Sequence, residues 1–128
     1  VLRVNLRDGR LHGDFEDFEP EDIPDSLGIY QTGTYRDGQR EGPFAYFYPN
    51  GVLRGRGTYE NGLLEGLYES WHENGEQRSR ANWVAGEVDG PFEQYYEDGR
   101  VEARGNVDMG RKCDEWIDDG ETVTYNPC

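Results

Sequence analysis

The chain has 128 residues, the length of one domain. Its 27 acids and 13 bases give a formal net charge of −14, which disfavours nucleic acid as a partner because a phosphate backbone is repelled. Aromatic residues make up 13% of the chain and there are 18 glycines, a composition typical of short strands joined by tight turns rather than of disorder. No apolar run reaches the roughly 18 residues that a transmembrane helix needs.

Residues 4–18 are an irregular first copy of a repeat that becomes regular later in the chain. This copy lies 29 residues before the next one, whereas later copies are 24 residues apart, so an insertion separates the first two. The matching pairs are Gly9 with Gly38, Gly13 with Gly42, Phe15 with Phe44 and Phe18 with Phe47.

The insertion, residues 19–29, belongs to an acidic segment. Residues 14–25 contain seven acids and no base, and Pro20 and Pro24 disfavour a helix there. Inserted loops in repeat proteins are common binding elements, so one interpretation is that this segment binds a partner. The other interpretation is that it only keeps the protein soluble and discourages edge-to-edge growth of the sheet. The predicted partner-binding residues are Asp17, Glu19, Glu21, Asp22, Ile23 and Asp25, with Ile23 as the anchor.

Residues 30–112 repeat with a period of 24, which is the strongest signal in the sequence. Each unit has an Asn-Gly or Asp-Gly pair, near 50–51, 74–75 and 98–99, that predicts a two-residue hairpin turn. A Gly-x-x-x-Gly step in each unit predicts a slightly longer reversal. Three aromatic columns share the period, and we expect them to form the core. The columns are Phe44, Tyr68, Phe92 and Trp116; Phe47, Trp71 and Tyr95; and Tyr35, Tyr59 and Trp83.

These features predict an all-β fold, an extended and twisted antiparallel meander of β-hairpin repeats with almost no helix. We expect residues 1–128 to form a single repeat domain. Its parts are a degenerate repeat at 4–18, an acidic insertion at 19–29, regular repeats at 30–112 and a C-terminal cap at 113–128.

Charged residues recur at the same period. Arginines share one column and acids share another, and we expect the two columns to support each other across the strands. The alternative is a charged strip that faces a partner. The columns are Arg56, Arg80 and Arg104, and Glu41, Glu65 and Asp89.

The cap contains both cysteines, Cys113 and Cys128. No CxxC motif or neighbouring histidine accompanies them, so a disulfide is favoured over a metal site. A disulfide indicates an oxidising, extracytoplasmic compartment such as the periplasm, whereas two free thiols would indicate the cytosol. The acids of residues 114–121 lack the spacing of an EF-hand loop, so we expect a solvated acidic cap and no metal.

Catalytic chemistry has no recognisable constellation in this chain. His12 and His72 occupy unequal repeat positions without a nucleophile in a catalytic setting, and the glycines do not form a phosphate-binding loop. We therefore predict structural or exposed histidines, no catalytic residue and no cofactor.

The stretch from Asn61 to Gly75 resembles the variant form of the MORN repeat. It has the pattern NG-x-x-x-G-x-aromatic-x-x-aromatic-x-x-NG. The next two units depart from it at Ala85 and Met109, which replace the usual Asn or Asp. The resemblance implies an array of β-hairpins. Bacterial proteins similar to this variant are often labelled antitoxin components, and some related chains are envelope proteins.

We therefore expect a non-enzymatic protein-binding module with an immunity or antitoxin role against a protein toxin or secreted effector. An acidic surface suits a partner with a basic or mixed-charge face. The alternative is a structural or scaffold protein of the bacterial cell envelope. We expect an extracytoplasmic chain, either processed or trimmed and compatible with a lipid anchor upstream of Val1, that is either a monomer or an edge-to-edge dimer.

Overall fold

The computed structural model describes residues 2–18 and 29–128, which form one antiparallel sheet of 13 strands. Successive strands are neighbours in the sheet, apart from the short β4 and β7, which pair with β3 and β6. This order confirms the predicted all-β meander of hairpins. The strands are β1 (Leu2–Arg7), β2 (Arg10–Phe18), β3 (Ile29–Arg36), β4 (Gln39–Arg40), β5 (Gly42–Phe47), β6 (Leu53–Glu60), β7 (Leu63–Leu64), β8 (Gly66–Trp71), β9 (Gln77–Val84), β10 (Glu87–Tyr95), β11 (Val101–Asp108), β12 (Arg111–Asp118) and β13 (Glu121–Thr124).

Two kinds of turn alternate along the sheet, and the prediction of which kind is shorter is wrong. The chain does turn near 50–51, 74–75 and 98–99, as predicted. Each turn is a three-residue loop, however, and in the first of them the Tyr48 N–H donates to the Val52 carbonyl. The two-residue turns lie instead at the start of each Gly-x-x-x-Gly step. Asn61 (φ 52°) and Gly62 (φ 81°) are both left-handed, as a type I′ turn requires. The longer loop suits its Asn-Gly pair because only the glycine there needs a positive φ.

The first aromatic column lies on one face of the sheet, here called the ring face, and its most buried members, together with Phe15, lie in the core. Phe15 is 2%, Phe44 7% and Trp116 2% exposed. Each ring lies over a small residue on the neighbouring strand, since Phe15 pairs with Gly33 and Phe44 with Gly57. A Cβ on Gly33 would lie 2.7 Å from Cε1 of Phe15, so glycine is required for this packing. The third column supports the first, with Tyr59 4.6 Å from the Phe44 ring.

The second aromatic column does not join this core, so that part of the core prediction is wrong. Side chains alternate between the faces of a strand, which places Phe47 opposite Phe44 and Trp71 opposite Tyr68. The second column is only partly buried on that opposite face. A single-layer sheet has no second layer to cover it, so the core forms on the ring face alone.

The acidic column that begins at Glu41 links successive repeats, because each of its carboxylates accepts a backbone N–H group from the following reversal. The Glu41 carboxylate accepts the Asn61 N–H at 2.8 Å, Glu65 accepts that of Ala85 at 2.7 Å, and Asp89 accepts that of Met109 at 3.1 Å. The prediction that these acids pair with the arginine column is therefore wrong. The acids bridge successive repeats and satisfy backbone donors instead.

Replacing Ala85 with asparagine is expected to stabilise the protein by about 0.5–1 kcal/mol. Ala85 holds a left-handed φ of 48° at the turn position that Asn61 occupies one repeat earlier, and asparagine tolerates this conformation better than alanine. Ala85→Val is the opposing control, because a β-branched side chain strains the same backbone. Denaturant unfolding measures both variants, and a gain with valine or a loss with asparagine would contradict the account.

Within the residues that the structure describes, there is no helix that could cross a membrane.

Candidate functional site

One side of the sheet is formed by four successive turns, of which the last three are rich in acids. We call residues 48–52, 72–76, 96–100 and 118–121 the acidic turn side. Its one lysine or arginine is Arg100, which pairs with Asp98 at 2.6 Å. The Arg100 backbone N–H, which donates to Asp98 at 2.9 Å, and then this side-chain contact hold the pKa of the Asp98 carboxyl below its usual range. The exposed acids form a negative strip across the last three of these turns. They are Glu73, Glu76, Glu97, Asp98, Asp118, Asp119 and Glu121.

Hydrogen bonds between repeats hold this strip in place. Asn50 Nδ2 donates to the Glu73 carbonyl at 3.4 Å, and Asn74 Nδ2 donates to the Glu97 carbonyl at 3.0 Å. The same asparagines close their own turns by accepting N–H groups, as Asn50 does from Val52 at 3.0 Å. The acids therefore stand on a fixed scaffold that repeats from turn to turn.

A column of ring side chains adds a second set of ties along this side. Tyr48 donates to the Trp71 carbonyl at 2.8 Å and His72 Nε2 donates to the Tyr95 carbonyl at 2.7 Å. Tyr96 donates to Asp119 at 2.5 Å, which raises the pKa of the Tyr96 phenol to about 12. His72 thus has the structural role that the sequence predicted.

The predicted partner-binding segment leaves the sheet on this same side. β2 ends at Phe18 and β3 begins at Ile29, and these two residues are paired, so both ends of the segment meet the sheet beside the acidic turns. The backbone of Asp17 lies in β2 and pairs with Leu2 and Gln31. The other predicted contacts lie outside the described residues. These are Glu19, Glu21, Asp22, Ile23 and Asp25.

The arginine column lies on the face opposite the rings, here called the ladder face. Strand register places Arg56 beside Glu69, Glu69 beside Arg80, Arg80 beside Glu93, and Glu93 beside Arg104. Arg56 binds Glu69 at 3.2 Å and covers the Trp71 ring at 5.3 Å. Sequence reasoning identified the arginines but missed these acids. Glu69 and Glu93 share a column too, but their place beside the arginines depends on a pairing register that the repeat alone does not define.

The cap is closed by the predicted disulfide between Cys113 and Cys128. Cys113 is fully buried, and the tail returns along β12 through the Tyr125 N–H, which donates to the Asp114 carbonyl at 2.8 Å. Tyr125 also meets Trp116 edge-on, with ring centroids 6.4 Å apart. The bridge is typical of proteins from oxidising compartments.

Comparison with known proteins bears directly on these repeats. A family model described as MORN repeat variant matches residues 40–61 and 88–108. No curated protein matches the chain. Each matched segment runs from one reversal through a hairpin of the sheet, and the equivalent turns recur at 24-residue intervals between and beyond them. Residues 40–61 and 88–108 therefore match the variant MORN repeat, and they lie within a longer array of hairpins with equivalent turns.

Proposed function

We propose that this chain is a non-enzymatic protein-binding module that neutralises a protein toxin or secreted effector, as an immunity or antitoxin protein does. The observation that carries the proposal is the acidic turn side, where exposed acids stand on a hydrogen-bonded scaffold. Fixed negative charge attracts a basic surface, raises the rate of encounter and covers the site it meets. MORN repeats serve as interaction modules, which supports binding as the general activity.

The partner is a protein with a basic or mixed-charge face. The acidic segment that includes Asp17, Glu19, Glu21, Asp22, Ile23 and Asp25 is proposed to join the contact, because β2 ends and β3 begins on the acidic turn side. Its acids steer the partner and Ile23 supplies an apolar anchor.

The module works outside the cytoplasm, in the periplasm or at the envelope. The Cys113–Cys128 bridge supports this location, because such bonds persist where the environment is oxidising. It acts as a monomer or as a dimer joined through end strands of the open sheet.

A second candidate function is a structural scaffold of the cell envelope. The observation that favours it is the ladder face, where alternating charges lie beside the partly buried rings of Trp71 and Tyr95. A broad, nearly neutral face of this kind suits docking of several partners. One tight, stoichiometric protein recovered from native extract would favour the immunity role, and several weak envelope partners would favour the scaffold.

The decisive experiment measures association of the purified partner with charge variants of the whole chain. Glu73→Gln, Glu76→Gln and Glu97→Gln together remove three of the seven exposed acids of the acidic turn side. A second variant neutralises Asp17, Glu19, Glu21, Asp22 and Asp25. We expect each variant to slow association by about tenfold at low salt, and less at high salt. If the partner is a toxin, each variant should also weaken inhibition of its activity.

The matched control carries Asp37→Asn, Glu60→Gln and Glu87→Gln, three exposed acids on the opposite, reversal side of the sheet. It loses the same charge as the first variant but should keep a nearly normal association rate. Equal slowing by the control and the first variant would show that net charge alone acts. Unchanged association of both test variants would refute the proposed surface.

A further inference from the structure

A break in the repeat opens a small polar pocket on the ring face. Tyr46, Ser70 and Gln94 occupy equivalent positions in three successive units, so a serine stands where the preceding unit has a tyrosine ring. The missing ring leaves a pocket of about 280 Å³ between Tyr46 and Gln94. Its floor is the hydroxyl pair of Ser70 and Ser79, which lie 2.5 Å apart.

Two arginines reach this pocket because each unit contains a β-bulge beside its turn. The register shifts between Tyr46 and Phe47, and again between Ser70 and Trp71, so Arg54 and Arg78 are the extra residues of the bulged strands. A bulge redirects its side chain, and both arginines line the pocket on the ring face.

The two arginines have different surroundings, and the charge of Arg78 is the more exposed. Arg54 is held by the rings of Tyr46 at 5.8 Å and Tyr48 at 5.5 Å, whereas Ser70 leaves Arg78 without the equivalent ring. Within the described part of the chain, neither arginine forms a salt bridge or donates a hydrogen bond. Two unpaired guanidinium groups in one pocket are unexpected in a protein with 27 acids and 13 bases.

The next repeat limits the pocket on its far side. The third bulge residue is Glu102, whose carboxylate accepts a hydrogen bond from Gln94 Nε2 at 3.1 Å. The basic character is therefore confined to Arg54 and Arg78, which leaves room for a single anionic group.

We propose that this arginine pocket, formed by Arg54 and Arg78 over Ser70 and Ser79, receives the carboxylate of an aspartate or glutamate side chain of the protein partner. The inference rests on the proposed function, since it describes the same partner. Guanidinium groups match the geometry of a carboxylate through paired N–H donors. A free small anion is repelled by the net charge of −14, whereas an acid carried on a basic surface is not.

The position of the pocket supports a protein source for this carboxylate. Arg54 and Arg78 lie two residues after the turns that end at Val52 and Glu76, so the pocket borders the acidic turn side. A partner that places basic residues on Glu73 and Glu76 brings the neighbouring part of its surface over the arginines. The expected recognition element is therefore one acid flanked by bases.

The test uses two acetylated, amidated peptides, Lys-Lys-Glu-Lys-Lys and Lys-Lys-Gln-Lys-Lys, with the whole chain. Nonspecific attraction favours the glutamine peptide, which carries more positive charge. The arginine pocket should reverse this order, so that the glutamate peptide binds about fivefold more tightly. Its titration should also shift the side-chain Nε–Hε signals of Arg54 and Arg78.

Arg78→Gln should restore the order set by net charge, whereas Arg80→Gln, which removes an exposed arginine from the ladder face, should keep the preference for glutamate. Tighter binding of the glutamine peptide to the unmodified chain, or no saturable shift at either arginine, would overturn the pocket. If that happens while neutralising Glu73, Glu76 and Glu97 still slows the partner, the proposed function stands without the pocket. If the chain prefers the glutamate peptide but neutralising Glu73, Glu76 and Glu97 does not slow the partner, the pocket stands and the proposed function does not.

Discussion

Replacing Trp116 with alanine is expected to lower the free energy of unfolding by about 3–5 kcal/mol. Trp116 is the end of the buried aromatic column and is only 2% exposed. Its ring stacks on Phe92 at 5.7 Å and covers Gly105, and its Nε1 donates to the Asn106 carbonyl at 2.8 Å. Alanine removes all of these contacts and leaves a cavity where the array must end.

Trp71→Ala is the matched control for this experiment, because it deletes the same side chain from the partly buried column on the opposite face. Its loss should be less than half that of Trp116→Ala, since a partly exposed ring gives up less buried area. Chemical denaturation followed by circular dichroism measures both variants. Similar losses for the two tryptophans would contradict a core confined to the ring face.

Removing the disulfide is expected to cost about 3 kcal/mol, the chain-entropy value for a loop of this size. The bridge closes a separation of 15 residues, and its Cα atoms lie 4.9 Å apart. Cys128→Ser tests the bridge cleanly because Cys128 is exposed, whereas Cys113 is buried and would leave a changed core. Mass spectrometry of the native protein without reductant should find it lighter than the dithiol form by the mass of two hydrogen atoms.

The loss should be local, because each repeat in a linear array touches only its neighbours. Hydrogen exchange of Cys128→Ser should rise in β12 and β13 and stay unchanged in β5 and β6. Reductant should reproduce this pattern in the unmodified chain and have no effect on the variant. Two alkylatable thiols in the native protein, or faster exchange throughout the sheet, would contradict this account of the cap.

The sequence predicted the period, the hairpin order and the bridge because each depends on local residue chemistry. Glycines and asparagines recur at fixed spacing, and both cysteines fall in the one segment where the repeat decays. It did not predict which turn is tighter, since both kinds contain an Asx-Gly or similar pair. That choice depends on where the strands end, and Ala85 shows that a two-residue turn forms even without an asparagine.

The candidate site was less accessible to sequence reasoning. Repeat columns identify equivalent residues but not which side chains share a face, so they group Phe47 with Phe44 in the core. The bulges beside the turns are also invisible in the period, yet they bring Arg54 and Arg78 to the ring face. The substitution of Ser70 for an aromatic residue was the signal that could have marked this position.

The most direct test of the account is a hydrogen-exchange footprint of the whole chain bound to its purified protein partner. We expect protection that recurs at 24-residue intervals in residues 48–52, 72–76 and 96–100, together with residues 14–25. The reversal side, at residues 37–38, 61–62 and 85–86, should exchange as it does in the free protein. Protection confined to the reversal side, with the acidic turns unchanged, would contradict the central claim that this protein binds through its acidic turn side.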